Sequence, residues 1–149
     1  MSFFKPKKKI NQYADTWGIF NVTVQNFPMI FRVRTSFDNY APLKDYCYQV
    51  GIAIPFNQKT ETGIVSPQED KELAEIEDQI IKYIEDDDSG LVGVITGQNM
   101  REFVLYTRNH VKVKVAFNSL KNSISGYELQ LMVKDDPSWS TYFYLRGNK

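Results

Sequence analysis

Catalysis in this chain of 149 residues would have to draw on a short inventory, because it holds one histidine and one cysteine. His110 stands between Asn109 and Val111, and Cys47 between Tyr46 and Tyr48. One imidazole and one thiol cannot furnish the four ligands of an ordinary zinc site. A nucleophile and base pair needs a fold that brings Cys47 and His110 together, and the plainer reading of Cys47 is a small residue packed on a strand. The glycines form neither a Walker loop nor a Gly-x-Gly-x-x-Gly turn, so familiar nucleotide chemistry is not expected. Asp86, Asp87 and Asp88 could hold a divalent ion weakly through oxygen. The plainer reading is an acidic helix end in water, and Glu75 and Asp78 read as surface charge. No cofactor and no metal is expected.

What remains is recognition. Arg101, Glu102, Asp136, Trp139 and Tyr142 combine the residue types that anchor interfaces. Arg32 and Arg34, two apart on one strand, share a face and add capacity for an anion. The structural alternative is that Asp136-Pro137 opens a turn and that Trp139 and Tyr142 fasten the tail to a sheet. Arg101-Glu102-Phe103-Val104-Leu105-Tyr106 faintly echoes the basic-aromatic strand of RNA-recognition domains. Glu102 stands where that strand carries glycine, and 18 bases balanced by 18 acids disfavour a phosphate ligand. The zero net charge is unevenly spread. From Glu69 to Asp88 there are ten acids and two bases, so that stretch carries −8 and the rest carries +8. Such a stretch is either a solvated helix face or a negative surface for a basic partner.

These residues need elements to hold them. Lys5, Lys7, Lys8 and Lys9 mark residues 1–14 as a flexible basic arm, followed by a single α+β domain over 15–146. Phe20, Val22 and Val24 alternate on a strand, Gln25-Asn26-Phe27-Pro28 turns the chain, and Met29 to Arg34 returns as a strand. Tyr48, Val50, Ile52 and Ile54 alternate on a third strand over 46–54. Ser66-Pro67-Gln68-Glu69 reads as a capping box with proline in the first turn. Leu73, Ile76, Ile80 and Ile84 then follow at helical spacing, and Ser89-Gly90 stops that helix. Strands follow over 91–96 and 101–108 around a Gly97-Gln98-Asn99 turn. Residues 110–120 fit a strand through Val111, Val113 and Val115, or a helix through Val113, Phe117, Leu120 and Ile124 capped by Asn109. The order of elements favours helix, before a last strand over 127–134. The aromatic tail from Trp139 to Tyr144 must pack or expose a large apolar patch.

From Tyr46 onward the order is strand, helix, strand, strand, helix, strand. It predicts a ferredoxin-like split βαβ antiparallel sheet with two helices on one face, extended by the N-terminal hairpin. With that order in view, the chain resembles a bacterial family designated domain of unknown function six-nine-five. The resemblance rests on Trp17, on Pro28 with Arg32-Val33-Arg34, and on Ala74-Glu75-Ile76-Glu77-Asp78. It continues through Leu91 to Thr96, Arg101 to Tyr106, and Asp135-Asp136-Pro137-Ser138-Trp139 with Tyr142. It implies an α+β domain with no established activity, and a more distant similarity to the regulator of ribonuclease E activity B. The opening Met1-Ser2-Phe3-Phe4-Lys5-Pro6 lacks the apolar stretch of a signal peptide, and no run approaches the ~20 apolar residues of a membrane span. A lone cysteine suits a reducing compartment. The expectation is a cytoplasmic, non-enzymatic protein-binding or regulatory module, monomeric or weakly dimeric, whose partner has a basic surface. An enzyme using carboxylates and arginine in a cleft, and an RNA-binding domain, are the alternatives.

Overall fold

A computed structural model describes residues 7–147 of the chain. Its elements in chain order are β1 (Trp17–Val24), β2 (Phe27–Arg34), β3 (Tyr48–Pro55), α1 (Pro67–Ile84), β4 (Ser89–Gly97), β5 (Met100–Thr107), α2 (His110–Ser123), β6 (Gln130–Asp135) and α3 (Ser140–Leu145). The fold is α+β. Its six strands form one sheet in the order β1-β2-β4-β5-β3-β6, and every neighbouring pair is antiparallel.

Two tight hairpins set the register. Gln25 and Asn26 have φ of 52° and 69°, and Gln98 and Asn99 have 53° and 61°. A two-residue turn with both φ values positive matches the right-handed twist of the strands it joins. The first turn is therefore shorter than the sequence suggests: Phe27 and Pro28 already belong to β2, and Val24 pairs with Phe27.

On one face α1 and α2 pack side by side. Leu73, Ile76, Ile80 and Ile84 of α1 and Val113, Phe117 and Leu120 of α2 meet Val50, Ile52, Ile54, Leu91, Val94, Phe103 and Leu105 of the sheet. The helical reading of residues 110–120 thus prevails, with the Asn109 side chain accepting from the Lys112 amide at 3.1 Å. Val111 and Val115, which made a strand plausible, lie exposed on its outer side.

The helix start departs from the expected capping box. Ser66 Oγ accepts from the Glu69 amide at 3.2 Å, which is half of that motif. The Glu69 carboxylate turns inward instead. It is buried, and it accepts from the amides of Asn57 (2.6 Å) and Gln58 (3.0 Å) and from the Tyr127 hydroxyl (2.9 Å). At the other end α1 stops at Ile84, and Ser89 and Gly90 begin β4 rather than ending the helix. The last strand is also displaced, from the expected 127–134 to Gln130–Asp135.

The opposite face carries a second core. Ile10, Phe37, Tyr46, Trp139, Tyr142 and Leu145 cover Phe31, Val33, Val92, Val104 and Tyr106. Here the aromatic tail is accounted for: it folds as α3 across the sheet. Gly93 admits it, since a Cβ there would come within 2.6 Å of Leu145. Of the expected basic arm, residues 1–6 lie outside the described residues. Beyond them Ile10 is fully buried and its amide donates to the Tyr46 hydroxyl at 3.1 Å, so this stretch is packed onto the domain. Its apolar side chain outweighs the mobility that the lysines suggest.

Ile80 and Ile81 separate the two sides of α1. Ile80→Ala should cost about 2–5 kcal/mol in urea unfolding, as buried truncations do. Ile81→Ala, on the exposed side, should cost less than about 1 kcal/mol. Equal losses would place the stripe wrongly.

Candidate functional site

The hairpin β1–β2 lies at the end of the sheet, beyond the reach of α2. Side-chain alternation sends Trp17 and Ile19 of β1, and Ile30, Arg32 and Arg34 of β2, toward the α1 side. The register places Ile30 beside Thr96 and Arg32 beside Val94 of β4. Along the facing wall, α1 presents Asp70, Ala74, Glu77 and Asp78, spaced three and four apart. Ile64 and Val65, from the loop before α1, line the same space. Together they bound a cavity of about 700 Å³, and a second of about 340 Å³ continues it toward the Pro28–Ile30 end of the hairpin.

The apolar part of this groove is open. Ile19 is 69% exposed, Ile64 51% and Ile30 40%. The charged part is internally paired. Arg32 makes a two-pronged pair with the Glu77 carboxylate, one prong at 3.1 Å, and its guanidinium stacks 5.3 Å from the centre of the Trp17 ring. Arg101 is buried and donates to Asp70 (2.6 Å) and to the Thr96 hydroxyl (2.9 Å). Arg34 donates to the carbonyls of Ala14 (3.1 Å) and Tyr13 (2.7 Å).

A further cavity of about 440 Å³ continues past Arg32 and Arg34 to Glu77 and Glu85. Burial raises the Glu85 pKa above the ordinary carboxylate value. A hydrogen bond from the Leu91 amide at 2.9 Å and the charge of Arg34 oppose that rise without cancelling it.

The residues singled out from sequence therefore divide. Arg32, Arg34 and Arg101 line or flank the groove. Glu102 points to the opposite face, where burial raises its pKa against the pull of Lys134. Asp136, Trp139 and Tyr142 are buried in the second core and cannot act as exposed anchors. They hold the tail instead. The Trp139 ring stacks on Tyr106 at 4.1 Å, and its indole N–H donates to the Tyr46 carbonyl at 2.8 Å. Asp136 accepts from the Tyr106 hydroxyl (2.6 Å), the Ser140 hydroxyl (2.6 Å) and amide (2.9 Å), and the Thr141 amide (3.1 Å). Burial works to raise its pKa, but these donors more than offset it and the net shift is downward. The Tyr142 hydroxyl bonds Asp38 at 2.7 Å. Trp139 carries a left-handed backbone (φ 57°), a conformation costing roughly 1–3 kcal/mol outside glycine, which these bonds hold in place.

Sequence reasoning missed Ile19, Ile30 and Ile64. For Ile19 and Ile30 the signal available was that the alternation is interrupted by successive apolar residues, Ile19-Phe20 on β1 and Met29-Ile30-Phe31 on β2. The aromatic strand proposed for RNA presents no open platform: Phe103 lies under the helices and Tyr106 under Trp139. The His110 ring packs tilted against Tyr48, ring centres 4.5 Å apart, with Nδ1 buried and unbonded among the described residues. Among the described residues, no cluster of three or more His, Cys, Asp or Glu side chains is arranged to hold a metal ion. None of the described helices is long and apolar enough to cross a membrane.

A family model matches residues 15–145, from the residues before β1 to the last residue of α3. It describes a family of unknown function, DUF695. The chain belongs to that family. No curated protein and no solved structure matches the chain. The matched span takes in the first core, the second core apart from Ile10, and all of the strand and helix walls of the groove, so the site belongs to the family domain itself.

Two titrations follow. A raised folded-state pKa means that ionised Glu85 costs stability above that value, a cost absent below the unfolded pKa. Glu85→Gln keeps an acceptor for Leu91 and should raise the unfolding midpoint near pH 7 but not near pH 4. Asp136 behaves oppositely: its lowered pKa supplies stability present above the unfolded value and lost as pH falls through the folded one. Asp136→Asn should destabilise by about 1–3 kcal/mol at neutral pH and flatten the acid limb of the stability profile.

Proposed function

We propose that this is a cytoplasmic, non-enzymatic protein-binding or regulatory module, and that the groove between α1 and the β1–β2 hairpin takes an extended segment of the partner. One observation carries the reading: Ile19 and Ile30 on the helix side of the hairpin, with Ile64 from the loop before α1, form an apolar floor that none of the described residues covers. A contiguous uncovered apolar strip beside polar walls is the usual mark of a recognition surface. The expected occupant is an extended peptide with apolar side chains at alternate positions and at least one lysine or arginine. The apolar residues would fill the floor, and the base would meet Asp78, on the wall where Arg32 and Arg101 already engage Glu77 and Asp70.

The element order from β3 to β6, with spatial order β4-β5-β3-β6, supports a ferredoxin-like reading of that part, with the hairpin as an added edge.

The half-buried Glu85, raised beside Arg34 in the 440 Å³ cavity, favours a second reading as an enzyme. Against it, Arg32, Arg34 and Arg101 each spend donors inside the protein, on carboxylates, a hydroxyl or carbonyls. A catalytic arginine must keep donors for a substrate.

Selection of random peptides on the full chain, with Ile30→Asp as the counter-selected variant, tests the proposal. Enriched sequences should alternate apolar residues with at least one base, and Asp78→Lys should weaken them by roughly tenfold. Equal retention on wild type and Ile30→Asp would overturn the groove as the site.

A further inference from the structure

The edge of the sheet formed by β1 raises a separate question. Val24 pairs with Phe27 across the two-residue turn, so Val24, Val22, Phe20 and Gly18 spend their backbone groups on β2. The N–H and C=O groups of Trp17, Ile19, Asn21 and Thr23 point outward, away from the sheet. Natural edge strands are normally blunted by charge, proline, a bulge or brevity. β1 has none of these: eight residues, Trp-Gly-Ile-Phe-Asn-Val-Thr-Val, in regular register with β2 and without a charged side chain. The opposite edge, β6, is blunted in the usual way, being six residues long and ending in Lys134 and Asp135.

We infer that β1 is the interface through which two copies of this chain associate, pairing antiparallel about a two-fold axis into one continuous sheet. The choice of a second copy rests on charge and symmetry. A charge-free strand meets no like charge when it meets itself. Asp15, at the entry to β1, would face the neutral Gln25–Asn26 turn of the other copy. A two-fold axis perpendicular to the sheet keeps the helices of both copies on the same side, which requires paired residue numbers to have an even sum. Centred on Phe20, this register sets Ile19 opposite the partner's Asn21 and Trp17 opposite the partner's Thr23. All four belong to the row whose backbone groups point away from β2 and pair with no strand among the described residues.

The side chains suit such a seam. On the α3 side the Phe20 ring lies over Gly18, where a Cβ would come within 2.7 Å of it, and the Arg146 guanidinium sits 5.2 Å above the ring. This flattens that face against the strand. On the α1 side the exposed Ile19 gains a neighbour, and the grooves of the two copies run toward each other across the seam. The inference does not depend on what occupies the groove.

Analytical ultracentrifugation of the full chain over a dilution series tests it, with Asn21→Pro and Ile19→Lys beside wild type. Proline at position 21 removes an outward donor and no bond to β2, and Ile19 is exposed, so both variants retain the fold. The expected result is a reversible wild-type dimer, with both variants shifted at least about tenfold toward monomer. Hydrogen exchange should show the amides of Ile19, Asn21 and Thr23 losing protection on dilution while those of Phe20 and Val22 keep it. A wild type that stays monomeric throughout, or a dimer unchanged in both variants, overturns the inference. A monomer that still selects groove peptides would leave the proposed function standing and remove only this interface.

Discussion

Width governs this structure. Strands lie about 4.8 Å apart, so six of them span close to 24 Å plus their side chains, whereas a helix with its side chains is about 10–12 Å across. Two helices cover roughly four strands. The pair α1 and α2 does that over β4, β5, β3 and β6, leaving the helix side of β1 and β2 with one wall and no roof. The overhang produces the groove and the exposed isoleucines together. A third helix on that face would close both. The chain instead spends its last helix on the opposite face, where α3 seals Phe31, Val33 and Val104.

That allocation explains the demanding packing of the tail. A helix of six residues has too few internal bonds to stand alone. It persists because Trp139 and Asp136 tie its start to Tyr46 and Tyr106, and because Tyr142 and Arg146 tie its body to Asp38, the latter pair at 2.7 Å. Downward shifts at Asp38 and Asp136 both arise within this contact set, where hydroxyl, amide and guanidinium donors converge on carboxylates. The aromatic tail is thus the clamp that frees the other face for an overhang. It joins segments about a hundred residues apart, and Trp139 cannot be loosened without exposing Tyr106 and Phe37 as well.

How far the sequence discloses this depends on how local each determinant is. The stripe Leu73, Ile76, Ile80 and Ile84 declares α1 because its period lies within one element. The valines at 111, 113 and 115 fit two periods, and only the order of the surrounding elements selects the helix. Glu69 satisfies the local pattern of a capping box, yet it is drawn to the amides of Asn57 and Gln58, whose nearness depends on a loop with no regular pattern. Asp136, Trp139 and Tyr142 have the composition of an interface and the same composition as a tail clamp. The decision lies with partners up to 108 residues distant, which spacing does not encode. Ile19 and Ile30 escaped notice for a related reason. A run of successive apolar residues in a strand reads as buried on both faces, and exposure on one of them follows only from the width of the completed layer.

Charge obeys the same logic of distant matching. The acidic stretch from Glu69 to Asp88 reads as a solvated helix face or as a surface offered to a basic partner, but the fold spends much of it on the domain's own cations. Glu77 holds Arg32, Asp70 holds Arg101, Asp87 holds Lys9, and Asp88 holds Arg108 and Lys112. The pair at Asp70 has a buried guanidinium, for which loss of the carboxylate would be costly; those at Asp87 and Asp88 are more exposed and worth little singly. Their collective effect is positional. They pin the turn between α1 and β4 against the start of α2 and the segment before β1, so that α1 is held at both ends across the sheet. What stays open for a partner is the exposed remainder, Glu75 and Asp78, on the groove side or outer side of the helix. A partner recognised here would therefore be selected first by the apolar floor, with charge orienting a segment that shape and burial have already admitted.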